Sequence, residues 1–260
     1  MNTHQQLHIK VLGSGTSAGV PMIGCHCPVC RSPDPRDRRN RCALAIRYGP
    51  HTILVDTPPE LRLQAVTHGV DRIDAIVMTH AHADHIFGLD DVRRFNTILG
   101  APLPLYANAE TLTIIQRCFG YAFTKPDFPG VYRPELVPEL IQGPFDLLGR
   151  HWLPVPMVHG RTLVYGYRIG NFAYCTDCNE IPATSRALLK GLDVLILGAL
   201  RPQPHPAHLS FAQALELVAE LQPRRTWFTH LSHDLRHAEI EADLPESVRV
   251  SYDGLEIVSE

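Results

Sequence analysis

No apolar stretch in the 260 residues is long enough to cross a membrane, and the opening Met1-Asn2-Thr3-His4-Gln5-Gln6 lacks the apolar centre of a secretion signal. The expectation is a cytoplasmic protein with no membrane partner. Long basic runs are missing too. The formal net charge is −3, and the locally basic residues 31 to 41 also carry Asp34 and Asp37. A nucleic-acid binder shows a clearer positive footprint, so the charge pattern argues against an RNA or DNA substrate. No internal repeat is visible. The seven cysteines are an odd number, which a fully paired secreted framework would not leave. In a reducing compartment, clustered thiols are more often metal ligands than disulfides.

The most informative stretch is Thr79-His80-Ala81-His82-Ala83-Asp84-His85. It follows the apolar run Ala75-Ile76-Val77-Met78, which reads as a short buried strand, so the cluster sits on the loop at a strand end. Imidazole and carboxylate both offer lone pairs at neutral pH and suit a divalent cation. A polar loop with chance histidines is the bland alternative, and four donors at this spacing speak against it.

These residues match the H-x-H-x-D-H motif of the metallo-β-lactamase superfamily, and the resemblance continues along the chain. His159, Asp177 and His230 follow in the superfamily's order, each after an apolar, β-prone run. The resemblance implies that His80, His82 and His159 hold one metal and that Asp84, His85 and His230 hold a second. Asp177 would bridge the two. Asp56, which ends the run His51 to Val55, would hydrogen-bond the metal loop rather than a metal.

A second donor cluster is Cys25-His26-Cys27-Pro28-Val29-Cys30. Thiolates at this spacing suit a tetrahedral structural zinc, which needs a fourth ligand from elsewhere. His233, three residues after His230, is the candidate, with His26 as the nearer rival and a redox-active dithiol as the alternative use. Such a zinc would pin a loop at about residues 21–41 to the edge of the active site. The earlier loop Gly13-Ser14-Gly15-Thr16 could contact phosphate, but no Gly-Lys-Ser/Thr follows. Its glycines are better read as permitting tight turns and close backbone approach.

Periodicity gives a hairpin over residues 42–55, where Gly49-Pro50 supplies the turn, and helices over 59–66, 90–98, 110–119 and 181–189. Strands follow at 102–107, 136–141, 152–158, 162–169, 171–175 and 193–197. Ser210 should cap an amphipathic helix from Phe211 to Leu221. Donors spread from His80 to His230 must converge, which favours one domain over residues 1–260. The resemblance implies its fold: α/β, a four-layer αβ/βα sandwich of two mixed sheets with helices outside.

For chemistry, two divalent ions can share a hydroxide and polarise a phosphoryl oxygen. With seven N and O donors and no thiolate, the centre would take Mn²⁺ or Zn²⁺, with Fe²⁺ as a further option, beside the structural zinc. Attack by the bridging hydroxide would involve Asp84 and Asp177, while His208 protonates the leaving oxygen, with His205 as its competitor. The Gly-Ser-Gly-Thr loop, Gly19-Val20-Pro21, the cysteine cluster, Thr229-His230-Leu231-Ser232-His233 and Asp253-Gly254 together resemble the phosphoribosyl 1,2-cyclic phosphate phosphodiesterases. That resemblance implies a small cyclic phosphodiester substrate. One departure is Asp56-Thr57-Pro58-Pro59-Glu60-Leu61-Arg62, which is closer to the pyrroloquinoline quinone biosynthesis protein. The alternatives are a tRNase Z-like nuclease or a non-catalytic metal-binding relative of that biosynthesis protein. The aromatic stretch 120–133 would line the substrate pocket or mediate homodimer contact, and an ordinary surface loop fits it equally well.

Overall fold

Leu7, Ile9 and Val11 are buried while His8 between them is exposed, the alternation of a strand with one face on a core. This is β1 (Leu7–Gly13) of a computed structural model that describes residues 6–125, 128 and 130–259. The hairpin β2 (Ala43–Tyr48) and β3 (His51–Val55) follows, then α1 (Leu61–His68), β4 (Ala75–Val77) and α2 (Ala83–Ile86). The first half closes with α3 (Arg93–Leu99), β5 (Leu103–Ala107), α4 (Ala109–Cys118) and β6 (Leu136–Leu140).

The second half runs through β7 (Phe145–Leu147), β8 (Arg150–His159), β9 (Thr162–Ile169) and β10 (Phe172–Cys175). After these come α5 (Ala183–Ala187), β11 (Val194–Gly198), α6 (Phe211–Leu221) and β12 (Arg225–Thr229). Last are α7 (His237–Ala242), β13 (Val248–Val250) and β14 (Glu256–Ser259), which returns to pair with β1.

Two mixed sheets result, in the orders β14-β1-β2-β3-β4-β5-β6 and β13-β12-β11-β10-β9-β8-β7. Their facing sides share one core, in which Ile9, Ile46, Ile53 and Val55 meet Trp152, Tyr167, Val194 and Ile196. The opposite sides are buried too. Leu54 and Ile76 pack under the helices of the first half, and Leu195 and Leu197 under those of the second. Strands covered on both faces read as unbroken apolar runs, which is why β4 and β11 show no alternation. The architecture is the expected αβ/βα sandwich.

Local differences from the sequence reading have local causes. Pro59 and Glu60 form a turn, so α1 begins only at Leu61, and residues 89–92 make a 3₁₀ turn that runs into α3. The expected helix over 181–189 shrinks to α5. The helix at 211–221 forms as expected, with Ser210 and Gln213 capping each other reciprocally. Within the aromatic stretch, Pro126, Asp127 and Pro129 lie outside the described residues.

The glycine loop after β1 is a clasp. A Cβ on Gly13 would stand 1.9 Å from the Arg41 carbonyl oxygen, and one on Gly15 would stand 2.6 Å from that of Arg39. The loop exchanges backbone hydrogen bonds with the segment after β12: Leu231 N donates to Ser14 O at 2.9 Å and Thr16 N to Leu231 O at 3.1 Å. Close backbone approach, as the glycines implied, is its visible role.

Candidate dinuclear metal site

The parallel strands β3, β4, β10, β11 and β12 all end on one edge of the sandwich, where α/β folds collect ligand-binding groups. Asp56 follows β3, the histidine motif follows β4, Asp177 follows β10 and His230 follows β12. Asp56, Asp177 and His230 have φ of 63°, 54° and 60°. The left-handed region is unusual for residues other than glycine, and its clustering here marks a functional site. His159 ends β8, and its neighbour Gly160 donates its N–H to Asn179 Oδ1 at 2.6 Å. The motif is not all loop: His82 precedes α2, which carries Asp84 and His85 on its single turn.

The donor atoms of His80, His82 and His159 lie within 4.8 Å of one another, and so do those of Asp84, His85, Asp177 and His230. A third group, His159, Asp177 and His208, meets the same limit and places Asp177 between the first two. Asp177 Oδ2 faces His85 Nε2 at 3.3 Å, while Oδ1 faces His230 Nε2 at 3.0 Å. All seven expected donors therefore converge.

The hydrogen bonds fix which ring nitrogens offer lone pairs. His159 Nδ1 sits 2.7 Å from the Ala207 carbonyl oxygen, which can only accept, so the proton is on Nδ1. His85 Nδ1 meets Asp56 Oδ2 at 2.8 Å, with the same consequence. Thr79 Oγ1 spends its one proton on Asp56 Oδ2 at 2.8 Å, so it must accept from His80 Nδ1 at 3.0 Å. In all three rings Nε2 keeps its lone pair and faces the cluster. His80 Nε2, His85 Nε2 and both ring nitrogens of His230 are buried without a hydrogen-bond partner. Buried ring nitrogens without partners cost free energy, and a cation would meet the lone pairs among them, so these residues fit a metal centre.

Electrostatics point the same way. Burial alone would raise the Asp177 carboxyl, but His230 and His85 hold it well below the usual range. Burial opposes a charge on His85, yet Asp177 and Asp56 raise its proton affinity well above the ordinary imidazole value. The carboxylates thus favour positive charge where the lone pairs converge. Burial, reinforced by His230, pushes His208 down to about 3. His208 stacks on His230 at 4.6 Å and lies 4.6 Å from the His159 ring. His205 is farther out, 5.0 Å from the His208 ring.

The thiols of Cys25, Cys27 and Cys30 meet His233 Nδ1 at 3.4, 3.4 and 3.6 Å. Sulfur at about 2.3 Å and nitrogen at about 2.05 Å from a tetrahedral zinc would stand about 3.6 Å apart, so this set fits that ion. The Cys30 N–H pulls the Cys27 thiol down to about 6. His26 is exposed. Sequence reasoning missed a second tie between the same segments. Arg39, fully buried, donates to Asp37 Oδ1 at 3.2 Å and to the carbonyls of Ser232 and Leu235, while Asp37 Oδ1 accepts from His237 N at 2.6 Å. A charge pair inside a segment read only as locally basic was the available signal.

The beta-lactamase superfamily domain matches residues 51–231. A crystal structure described as a new diphosphatase from the PhnP family superposes with a TM-score of 0.91 at 43% identity, covering 98% of this chain and 97% of that one. This chain belongs to the PhnP family of the metallo-β-lactamase superfamily. As a PhnP-family member it has the metallo-β-lactamase fold, which implies divalent metal. Among curated relatives, an octanoyltransferase of Porphyromonas gingivalis is 37% identical over 95% of this chain but 51% of its own length. A coenzyme PQQ synthesis protein B of Rhodopseudomonas palustris is 33% identical over 42% of this chain and 38% of its own. The chain thus spans about half or less of the curated relatives it matches.

Proposed function

We propose that this PhnP-family chain is a binuclear metal-dependent phosphodiesterase acting on a small phosphate ester, a phosphoribosyl 1,2-cyclic phosphate-like compound being the leading candidate. The observation that carries this reading is the donor set. Seven N and O donors, none of them a thiolate, fall into a group of three and a group of four, and Asp177 of the second also lies within the same limit of His159 of the first. His80, His82 and His159 would hold one ion; Asp84, His85 and His230 would hold the other, with Asp177 between them. Hard and borderline cations such as Mn²⁺, Zn²⁺ or Fe²⁺ suit such donors. When bound, a metal pair supplies Lewis acidity and lowers the pKa of water towards about 7.

The chain's own groups do the rest. Thr176 Oγ1 donates to Asp177 Oδ2 at 2.7 Å and fixes the carboxylate plane. The stacking of His208 on His230 supports it over His205 as general acid. Buried and neutral in the free enzyme, the His208 ring gains proton affinity when an anionic substrate sits beside it, and it can then protonate the leaving oxygen. The Cys25, Cys27, Cys30 and His233 set would hold a structural zinc. The diphosphatase description of the PhnP-family structure extends the candidates to phosphoanhydrides, which require the same attack on phosphorus.

The test is reconstitution with Mn²⁺, Zn²⁺ or Fe²⁺, followed by assay against cyclic and linear phosphodiesters and diphosphates. Hydrolysis of at least one class, lost in Asp177→Asn, is expected. Full metal occupancy with no phosphodiester or diphosphate cleaved would overturn the reading.

A further inference from the structure

Strand β11 lies between β10 and β12 and runs parallel to both, so the loop leaving its C-terminal end opens between Asp177 and His230. That loop begins at Ala199 and carries Arg201, His205 and His208. Its base is pinned on three sides: Leu200 N donates to Leu209 O at 2.9 Å, Ser232 N to Leu200 O at 3.0 Å, and Phe211 N to Arg201 O at 3.0 Å. The backbone of Arg201 is thereby fixed beside the segment that bears His230.

The Arg201 side chain is half-buried, and its Nε is fully buried with no hydrogen-bond partner. Among the described residues no carboxylate pairs with it. A guanidinium in this state is costly unless an anion arrives from outside the chain. Burial, reinforced by the charge of Arg201, lowers the proton affinity of the His205 ring. His205 Nδ1 accepts from Ala207 N at 3.2 Å, so the neutral ring keeps its proton on Nε2 as a donor. Arg201, His205 and His208 thus share one loop beside the candidate centre, where His208 Nδ1 lies 3.9 Å from Asp177 Oδ1 and, among the described residues, no acid is paired with Arg201.

We infer that Arg201, with His205, binds a second phosphate group of the substrate, one that does not react. Arginine presents a planar fork of N–H donors that matches phosphate oxygens in a bidentate way. Such a contact would orient the scissile phosphorus from a distance and select substrates carrying two phosphates over those carrying one. This rests on the phosphodiesterase reading, and the test separates the two.

Metal-loaded wild type, Arg201→Ala and Arg201→Lys are compared on ribose 1,2-cyclic phosphate with and without a 5-phosphate, and on bis(4-nitrophenyl) phosphate. For Arg201→Ala, kcat/KM on the 5-phosphorylated substrate should fall about 10- to 100-fold, chiefly through KM, the scale of a lost charged hydrogen bond. The two substrates with a single phosphorus should change less than about threefold. Lysine keeps the charge but loses the fork, so Arg201→Lys should fall between. Calorimetric titration with inorganic pyrophosphate should show weaker binding to Arg201→Ala by a similar factor. Equal losses on all substrates, or no loss on any, would overturn the inference while leaving the hydrolase intact. No wild-type activity on any of the three would instead count against the phosphodiesterase reading.

Discussion

Asp56 touches neither proposed ion, yet its replacement by asparagine should weaken both. Its Oδ1 accepts from Thr79 N at 2.8 Å, and its Oδ2 accepts from Thr79 Oγ1 and His85 Nδ1, each at 2.8 Å. Asparagine tolerates the left-handed backbone at this position, so Asp56→Asn isolates the hydrogen-bond effect. With the amide oxygen kept on Thr79 N, the new NH₂ faces two donors. Thr79 Oγ1 can relieve its clash by accepting from the amide and turning its own proton onto His80 Nδ1. That swap forces the His80 proton to Nε2 and removes its inward lone pair. His85 loses its acceptor, and a charged hydrogen bond of this kind contributes about 1.5–3 kcal/mol. His80 and His85 belong to different donor groups, so one substitution should lower affinity at both by about 10- to 100-fold. Competition with a graded series of chelators, read by metal content and by Tm with and without metal, measures this. Weakening confined to one ion, or below about threefold at both, would refute the tautomer argument.

Asp177→Ala should abolish hydrolysis while far-ultraviolet dichroism stays native; near wild-type rates would remove its bridging role. His208→Ala should cripple cleavage of alkyl or ribosyl phosphodiesters by about 10²- to 10⁴-fold and affect bis(4-nitrophenyl) phosphate much less, because nitrophenolate leaves without a proton. Equal losses would indicate positioning instead. Cys27→Ser should release the structural zinc and lower Tm, yet mild chelation that empties the His/Asp centre should leave that ion bound, as metal analysis would show. Burial raises the Asp253 carboxyl from 3.8 to about 6. The folded chain therefore holds this proton between roughly pH 4 and 6 while the unfolded chain has released it, so Asp253 makes stability fall as pH rises through that window, by about 3 kcal/mol in all. Asp253→Asn should remove that contribution, and parallel slopes for variant and wild type in denaturant titrations would exclude it.

The convergence of His80, His82, His159, Asp177 and His230 was legible because each donor directly follows a buried strand, and buried strands stand out as apolar runs. The reciprocal cap at Ser210 was legible because capping is local. What stayed hidden depends on contacts between distant segments. Arg39 reaches Ser232 and Leu235, and Asp253 accepts from Ser14 N at 2.9 Å and from Asn40 N at 2.7 Å, pairings no periodicity can signal. Short elements such as β7, β13 and α7 carry too few residues to show a pattern and exist because the neighbouring strand or core recruits them. Arg201 sits in a proline-dense loop with no periodicity to mark it. Its lack of an acidic partner among the described residues becomes apparent only in the folded chain.

Each proposed ion draws donors from both sheets. His80 and His82 come from the first half and His159 from the second; Asp84 and His85 come from the first and Asp177 and His230 from the second. Neither half alone owns a complete coordination set. The centre is then also a fastener across the seam between two β-layers, and a chain cut between β6 and β7 would reassemble in proportion to the metal supplied.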